Sequence, residues 1–360
     1  MQTISSKTDP ASKKIQISVC ITTRNRAGFI GETLESIISQ AGDSVEIVIV
    51  DGASTDNTME VVQRYKKKFA KLVYYRGEEN MGFNRDMAKC IELARGEYCW
   101  IFSDDDLLMP GAIKRMLKEI ESACEIYLCN ITACNLSMRP YKELSWLRVD
   151  VKDRVFNLHK KDELIEYCNK ANSIGALFSY WSSIVLRRED WNRTGYHYDF
   201  DATAYALASS LLSLIRHKCR LKYIKSSLVL WRNDNESFQN AGGLVKRFLL
   251  DFDGYLQLAD KYFSDDIKVR DAFLKVMTRE HPWYTLIHVI SFIDNRDLWQ
   301  QFRSKLLKFG YNPCMIIFCN FLGKNKNLVN TAVKMKRKIV RSGIFLSFGK
   351  ENSLSKTNLL

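Results

Sequence analysis

The sequence predicts an α/β protein built on a doubly wound, largely parallel sheet. Apolar strand-like runs alternate with helical segments between residues 15 and 122, and several of the strands end in polar loops. This alternation is typical of a parallel sheet with helices on its faces. At 360 residues, 46% of them hydrophobic, the chain is long enough to bury such a core.

Each element follows from its own residue pattern. The strands are short apolar runs, and the helices repeat apolar residues every three or four positions. Ser54, Thr55 or Asp56 can cap the second helix, and Pro110 is expected in the first turn of the fourth. In chain order the predicted elements are strand 14–23, helix 29–40, strand 45–51, helix 54–68, strand 71–76, helix 81–96, strand 97–103 and helix 110–122.

The rest of the chain is less regular. Residues 126–240 mix helical stretches with short strands, and residues 241–360 are mainly helical in pattern. We therefore expect a flexible lead-in at 1–14, a first half of the sheet domain at 15–125, a second half at 126–240 and a helical extension at 241–360.

The charge balance indicates a polyanionic partner. Lys and Arg exceed Asp and Glu by 54 to 41, a net charge of +13, which suits nucleic acid, nucleotide phosphates or an anionic membrane. Residues 323–350 carry eight basic residues and no acid, interleaved with apolar ones. That stretch fits either an anionic bilayer surface or a solvated terminal helix.

The cysteines and the apolar runs point to a cytoplasmic protein. None of the ten cysteines forms a CxxC pair, so we expect ordinary buried thiols in a reducing compartment. No apolar run approaches the roughly 20 residues of a membrane span, and the first 14 residues are polar.

Three aspartates, Asp104, Asp105 and Asp106, follow the fourth strand directly. Adjacent like charges disfavour one another's ionisation unless a cation compensates. Mg²⁺ and Mn²⁺ prefer carboxylate oxygens, and in an extended segment Asp104 and Asp106 can point to the same side. The alternative is a solvated turn that caps the next helix.

Two more polar loops, at residues 22–26 and 51–56, follow the first and second strands. Ligands of such sheets bind beyond the carboxyl ends of the strands, so we expect all three loops to meet at one site. Asp51 can accept hydrogen bonds from a base or ribose, and Gly52 permits close approach. Arg26 suits phosphate, and Thr23 and Asn25 can shape a base pocket.

An ordered set of motifs resembles the nucleotide-sugar-binding half of a family 2 glycosyltransferase with a GT-A fold. The likeness covers residues 15–125 strongly and 126–240 loosely. The spellings DGASTDNT and NMGFNRDMAKC are similar to abequosyltransferase-type enzymes of bacterial O-antigen assembly. The motifs are Thr23-x-Asn25-Arg26, Asp51-Gly52-x-Ser54-x-Asp56, Asn80-x-Gly82 with Arg85, Gly96-Glu97-Tyr98 and the aspartate triplet.

The resemblance implies an inverting, metal-dependent transfer of a sugar from a nucleoside diphosphate sugar to a polyprenyl-linked saccharide. Asp104 and Asp106 would bind Mg²⁺ or Mn²⁺. The implied donor-binding residues are Thr23, Asn25, Arg26, Asp51, Gly52, Arg85, Asp104, Asp105 and Arg232. The chain departs from the family in having Thr22 where a proline is usual and a single aspartate at the end of the second strand.

The catalytic base is less well marked. The family usually has an acidic Glu-Asp pair at the start of a helix, and the corresponding stretch here, ATAYALASSLLSLI, contains no acid. A carboxylate within reach of the acceptor hydroxyl must supply this function. The nearest candidates are Asp201, which we favour, then Asp199 and, further upstream, Glu189 and Asp190, with His197 as a further candidate; helix capping is the alternative role for Asp201.

Other classes of protein are less consistent with the sequence. A nucleotidyltransferase would typically have a Gly-rich first loop, and TTRNRAGF offers little glycine. The missing Glu-Asp pair leaves room for an inactive nucleotide-sugar-binding module. A nucleic-acid-binding protein would need a basic stripe with exposed aromatics, whereas the charge here is scattered. We expect a cytoplasmic enzyme, peripheral on the inner face of the plasma membrane, with no nucleic-acid partner.

Overall fold

The computed structural model describes residues 14–200, 203–233, 235 and 243–325. The chain divides into two compact units. The first contains the described residues as far as Glu143, then Val149–Glu163 and the chain from Phe178 to residue 233. The second contains Leu144–Arg148, Leu164–Leu177 and the described chain from Asn235 onward.

The regular elements are numbered in chain order. The strands are β1 Ile17–Thr23, β2 Val45–Asp51, β3 Leu72–Arg76, β4 Tyr98–Phe102, β5 Leu107–Leu108, β6 Ile126–Cys134, β7 Pro140–Leu144, β8 Arg154–Asn157, β9 Ile184–Arg187 and β10 Arg220–Arg232. The helices are α1 Ile30–Ile38, α2 Thr58–Lys68, α3 Phe83–Leu93, α4 Ala112–Glu119, α5 Lys161–Lys170, α6 Arg188–Thr194, α7 Ala206–Ile215, α8 Gly243–Phe263, α9 Ile267–Glu280, α10 Trp283–Ile290, α11 Arg296–Lys308 and α12 Pro313–Lys324.

The ten strands form one mixed sheet, eight of them in the order β3-β2-β1-β4-β9-β6-β10-β5, while β7 pairs with β6 and β8 pairs with β10. β1 runs parallel to both β2 and β4, and β2 runs parallel to β3. β9 is antiparallel to β4 and β6, which makes the sheet mixed. The predicted doubly wound α/β architecture is therefore confirmed.

The central strands are buried along their whole length, as expected for a sheet that helices cover. Every residue of β2, β4 and β6 is buried, and α3 packs on β1 and β2. Thr23 pairs with Asp51 at the last position of β1 and β2, so the two strands end level. This rigid edge fixes where the loops that follow it begin.

All four helices predicted before residue 125 begin later than the sequence prediction, and the local backbone explains the starts of α2 and α4. α2 begins at Thr58 after the cap residue Asn57, although Asp56 still accepts a hydrogen bond from the Thr58 amide. α4 begins at Ala112, so Pro110 precedes the helix instead of lying in its first turn. The residue between them, Gly111, has φ +81°, a left-handed conformation that ends the loop before the helix starts.

The predicted helical extension is confirmed by α8 to α12 in the second unit. Among the described residues, no helix combines the length and apolar character needed to cross a membrane. Most of the basic stretch 323–350 lies outside the described residues. Nine of the ten cysteines are buried free thiols, as expected, whereas Cys314 is exposed on α12.

Candidate active site

The loops after β1 and β2 are tied together at the carboxyl edge of the sheet. The Asn25 amide donates to Ser54 Oγ at 2.9 Å, and the Thr55 amide donates to Asn25 Oδ1 at 2.8 Å. Asn25 has φ +55°, a left-handed conformation that asparagine tolerates well. The predicted convergence of these two loops is therefore present, and Asn25 fixes their spacing.

Asp51 lies at the centre of this edge and is fully buried. Its Oδ1 accepts from the Ser54 amide at 2.8 Å, and its Oδ2 accepts from the Tyr74 hydroxyl at 2.7 Å. Burial, followed by the hydrogen bond and charge of Asp51, raises the pKa of Tyr74, so the phenol remains a donor. Tyr74 is a site residue that the sequence analysis did not identify.

Asp86 is a second residue that the sequence analysis missed. It lies in the first turn of α3, and a Cβ on Gly52 would come within 2.7 Å of its Oδ2. The close approach of Asp86 therefore requires a glycine at position 52, whether or not a ligand also approaches it. A signal was available, because Asp86 shares the inward face of α3 with Cys90, four residues later.

The environment of Asp86 makes its carboxyl an unusually weak acid. Burial and, next, the nearby charge of Asp51 raise the pKa of Asp86 to about 6, while Arg24 opposes the increase. A carboxyl with a pKa above that of the unfolded chain stabilises the fold at low pH. This contribution is complete below about pH 4 and disappears as the pH rises through 6.

The variant Asp86→Asn tests this assignment. Relative to the variant, the wild type is expected to lose about 1–2 kcal/mol of unfolding free energy between pH 4 and pH 7. Urea unfolding at several pH values measures the difference, with Asp271→Asn on the exposed side of α9 as the control. A difference between wild type and Asp86→Asn that does not change with pH would show that Asp86 titrates normally.

The aspartate triplet after β4 is buried, with exposed fractions of 7%, 9% and 1% for Asp104, Asp105 and Asp106. The alternative of a solvated turn is therefore wrong. Asp104 faces Arg26, with 3.6 Å between Oδ1 and Nε, which brings the third loop to the same edge as the first. Burial and then the charge of Asp105 raise the pKa of Asp104 to about 7, although Arg26 opposes the increase.

Asp106 is held by three donors. Its Oδ2 accepts from the hydroxyls of Tyr180 and Ser182, both at 2.6 Å, and its Oδ1 accepts from the Arg232 amide at 3.1 Å. Burial and the charge of Asp105 nevertheless raise the pKa of Asp106 to about 7. Tyr180 and Ser182 come from a segment before β9 and could not be linked to the triplet from sequence spacing.

Arg232 binds the backbone of the triplet through hydrogen bonds. Its Nε donates to the Asp105 carbonyl at 2.9 Å, and its guanidinium also donates to the Leu136 carbonyl and to Glu32. The side chain is 3% exposed and lies over the Phe29 ring. In this structure Arg232 supports the backbone of the triplet, so its predicted contact with the donor diphosphate stays a prediction.

The donor atoms of the triplet are of the kind that a hard divalent cation takes, although among the described residues no group of three or more His, Cys, Asp or Glu side chains is arranged to hold a metal ion. Carboxylate oxygens are the ligands that Mg²⁺ and Mn²⁺ favour. Two carboxyls whose pKa is raised to about 7 mark a place where positive charge is in deficit. Asp104 faces Arg26 in the loop after β1, whereas the carboxylate of Asp106 is turned to Tyr180 and Ser182. The predicted pair is thus unequal, and Asp104 is the more available member.

Arg85 is exposed in the first turn of α3, beside a groove of about 1070 Å³. The groove also borders Asp86, and its walls carry several carboxylates and aromatic rings. The residues that line the groove include Tyr75, Glu78, Glu79, Met81, Lys89, Glu92, Trp191, Tyr196 and Tyr198. Asp51 and the aspartate triplet are not among its lining residues, so this groove adjoins the carboxyl edge through Asp86 and is not the space directly above the triplet.

The candidate bases differ in position. Asp190 follows β9, whose Arg187 pairs with Tyr98 at the amino end of β4, opposite the end that carries the triplet. The carboxylate of Asp190 accepts hydrogen bonds from Arg187 and Arg193. The structure therefore does not bring Asp190 to the site. Asp199 is exposed in a short helical turn, and Asp201 lies outside the described residues.

Comparison with known proteins gives consistent matches. The family model described as glycosyl transferase family 2 matches residues 18–188. Abequosyltransferase RfbV of Salmonella typhimurium is 34% identical, over 88% of this chain and 92% of that protein. The GalNAc(5)-diNAcBac-PP-undecaprenol beta-1,3-glucosyltransferase of Campylobacter jejuni is 27% identical, over 71% and 76% of the two chains.

Among solved structures, S. aureus TarS in complex with UDP-GlcNAc superimposes with a TM-score of 0.58 at 14% identity, over 94% of this chain and 95% of that one. The mannosyltransferase PcManGT of Pyrobaculum calidifontis, in complex with GDP-Man and Mn²⁺, gives 0.50 at 14% identity, over 90% and 87%. The fold is accordingly the GT-A fold of glycosyltransferases. The chain belongs to glycosyl transferase family 2 and is a glycosyltransferase, which confirms the resemblance.

Proposed function

We propose that this protein transfers a sugar from a nucleoside diphosphate sugar to a polyprenyl-linked saccharide during assembly of bacterial O-antigen or a related surface polysaccharide. The names of the Salmonella and Campylobacter relatives support the sugar-transfer and lipid-linked parts of this proposal. The structural observation that carries it is the set of three buried carboxylates beside Arg26, at the edge where Asp51 also lies.

The donor is expected to bind at this carboxyl edge. Thr23, Asn25, Asp51 and Gly52 would line the nucleoside, because they surround the ends of β1 and β2. The guanidinium groups of Arg26 and Arg85 would bind the two phosphates, since arginine pairs well with phosphate oxygens. Arg26 already lies beside Asp104, so it can contact both the diphosphate and the carboxylate.

A divalent cation completes this arrangement in our proposal, with Mg²⁺ or Mn²⁺ held by Asp104 and Asp106. When bound, such an ion offsets the negative charge of the departing diphosphate. The residues of the chain prepare the place for it. Tyr180 and Ser182 hold the Asp106 carboxylate, and Arg232 holds the backbone of Asp105, so Asp106 would exchange one of its hydrogen bonds for the ion while Asp104 binds it directly.

Transfer with inversion requires a base on the acceptor side. The acceptor oxygen forms a bond to the anomeric carbon, the bond from that carbon to the diphosphate breaks, and the acceptor proton passes to a carboxylate. We assign this proton to Asp201, with Asp199 as the second candidate. Asp190 is the least suitable of the three, because two arginines hold its carboxylate away from the triplet.

The proposal assigns a different role to each region of the chain. Residues 15–125 would bind the donor, 126–240 the acceptor, and 241–360 would form a helical extension. A polyprenyl-linked acceptor is presented at a membrane, so we infer that the enzyme acts at the inner face of the plasma membrane and contacts anionic lipid. Nucleic acid has no place in this scheme.

A donor panel tests the proposal. Purified protein is incubated with UDP-, dTDP-, CDP- and GDP-sugars, with and without a polyprenyl diphosphate saccharide, in Mg²⁺, Mn²⁺ or EDTA. We expect release of nucleoside diphosphate from one class of donor, and a decrease of about 100-fold in EDTA. The product linkage, determined by NMR, should show the inverted anomeric configuration.

Each part of the proposal can fail separately in that experiment. Full turnover in EDTA would contradict the role of the cation, and a retained anomer would contradict inversion. Donor binding with no product, in the presence of every acceptor, would indicate an inactive binding module. Release of sugar 1-phosphate, with the nucleoside monophosphate joined to the acceptor, would indicate a nucleotidyltransferase.

A further inference from the structure

Helix α12 of the second unit exposes an apolar stripe. Ile317, Phe318 and Phe321 have exposed fractions of 61%, 51% and 62%. With the exposed Cys314, they recur at intervals of three and four residues, which places them on one side of the helix. The opposite side is buried through Ile316, Cys319 and Gly323, so α12 is apolar on both its buried and its exposed sides.

The neighbouring helix α10 extends this surface. Its first residue, Trp283, is 44% exposed, and its ring centroid lies 6.2 Å from that of Phe318. α10 and α12 pack closely, and the Cys319 thiol contacts the Trp283 carbonyl. We call the exposed residues Trp283, Ile317, Phe318 and Phe321 the α10–α12 face. An aromatic and aliphatic patch of this kind on a protein surface marks an interaction site.

The sequence that forms and follows α12 is basic. The sequence contains no acidic residue between Asp297 and Glu351. Lys324 at the end of α12 is exposed, and the chain that follows adds Lys326, Lys334, Lys336, Arg337, Lys338 and Arg341. Apolar side chains with tryptophan, followed by many basic residues, are the composition of segments that lie in the interface of anionic membranes.

We propose that the α10–α12 face docks on an anionic lipid bilayer, with its aromatic and aliphatic side chains in the headgroup region and the exposed Lys324 at the end of α12 against the lipid phosphates. The inference rests on the proposed function, since a polyprenyl-linked acceptor is reached at a membrane. A symmetric contact between two copies is less favourable, because it would bring the same basic residues of both chains together. The positive charge instead complements an anionic lipid surface.

The experiment compares two matched double variants of the full chain. Ile317→Ser/Phe321→Ser alters the α10–α12 face. Val149→Ser/Ile267→Ser alters residues of similar exposure elsewhere, 72% and 63%. Both are tested for co-sedimentation with vesicles of phosphatidylethanolamine and phosphatidylglycerol, and with vesicles of phosphatidylcholine alone. Donor hydrolysis without acceptor is measured for each protein as a check on folding.

A second readout uses the native Cys314. Cys314 is exposed and the other nine cysteines are buried, so a maleimide fluorophore sensitive to polarity will label Cys314 selectively. It lies on the exposed stripe of α12, and its side chain supports no hydrogen bond that the helix needs. On contact with lipid, the fluorophore should show a blue shift of its emission.

We expect the wild type and the control variant to bind phosphatidylglycerol vesicles, and the Ile317→Ser/Phe321→Ser variant to bind about fivefold less, with unchanged donor hydrolysis. Equal binding by the two variants, or an unshifted fluorophore on vesicle-bound protein, would overturn the proposal. A wild type that binds no vesicles would also overturn it. If that wild type self-associates in sedimentation velocity and the Ile317→Ser/Phe321→Ser variant does not, the face would be a contact between two copies. Since donor hydrolysis is scored separately, failure of the docking face and failure of the sugar transfer remain distinguishable.

Discussion

Replacing Asp104 with Asn is expected to lower metal-dependent sugar transfer by about 100- to 1000-fold, because it removes one carboxylate from the proposed cation site without changing its size. The protein should remain folded. Burial and Asp105 disfavour the charged form of Asp104, as its pKa of about 7 indicates. At pH 8 the neutral Asn relieves that repulsion, so the free energy of unfolding should be unchanged or higher.

The comparison with Asp106→Asn makes this test sharper. Asp106 accepts hydrogen bonds from Tyr180, Ser182 and the Arg232 amide, so its substitution disturbs the loop as well as the charge. Asp104→Asn is therefore the cleaner probe, with Asp271→Asn as a surface control. Turnover of Asp104→Asn within threefold of the wild type, with the same dependence on Mn²⁺, would contradict the role of Asp104.

Replacing Asp190 with Asn should decrease the free energy of unfolding by about 2–4 kcal/mol and leave the turnover of the folded enzyme unchanged. Asp190 is 2% exposed and binds Arg187 and Arg193. Arg187 also binds Glu125, so the variant weakens a buried network at the amino end of β4. Thermal unfolding gives the stability, and kcat below the unfolding temperature gives the catalytic effect.

Two further variants separate structure from chemistry here. Glu189→Gln changes the exposed neighbour of Asp190 on the same helix and should affect neither property. Asp201→Asn should retain donor binding while transfer is lost, as expected for a base. A large decrease of kcat in Asp190→Asn at full stability, with normal turnover of Asp201→Asn, would reverse our assignment of the two residues.

Much of the fold was predictable because it depends on local residue patterns. Strand β2 was predicted to the residue, since five of its seven residues are apolar and the run lies between clear turn signals. The meeting of the loops at Asn25, Asp51 and Asp104 was also predictable, because parallel strands share one carboxyl edge. Helix starts were predicted less well, since the backbone at Asn57 and Gly111 decides them.

The sequence by itself determined the order of the main strands and helices between residues 15 and 122, the edge at which chemistry is expected and the family to which the chain belongs. Only the tertiary structure decided how the three aspartates differ. Asp106 is bound to Tyr180 and Ser182, more than 70 residues away, and Arg232 reaches Glu32 across the chain. Such contacts join segments that are distant in sequence, so no local pattern contains them. The exposure of Ile317 and Phe321 is of the same kind, because burial depends on which helices pack against α12.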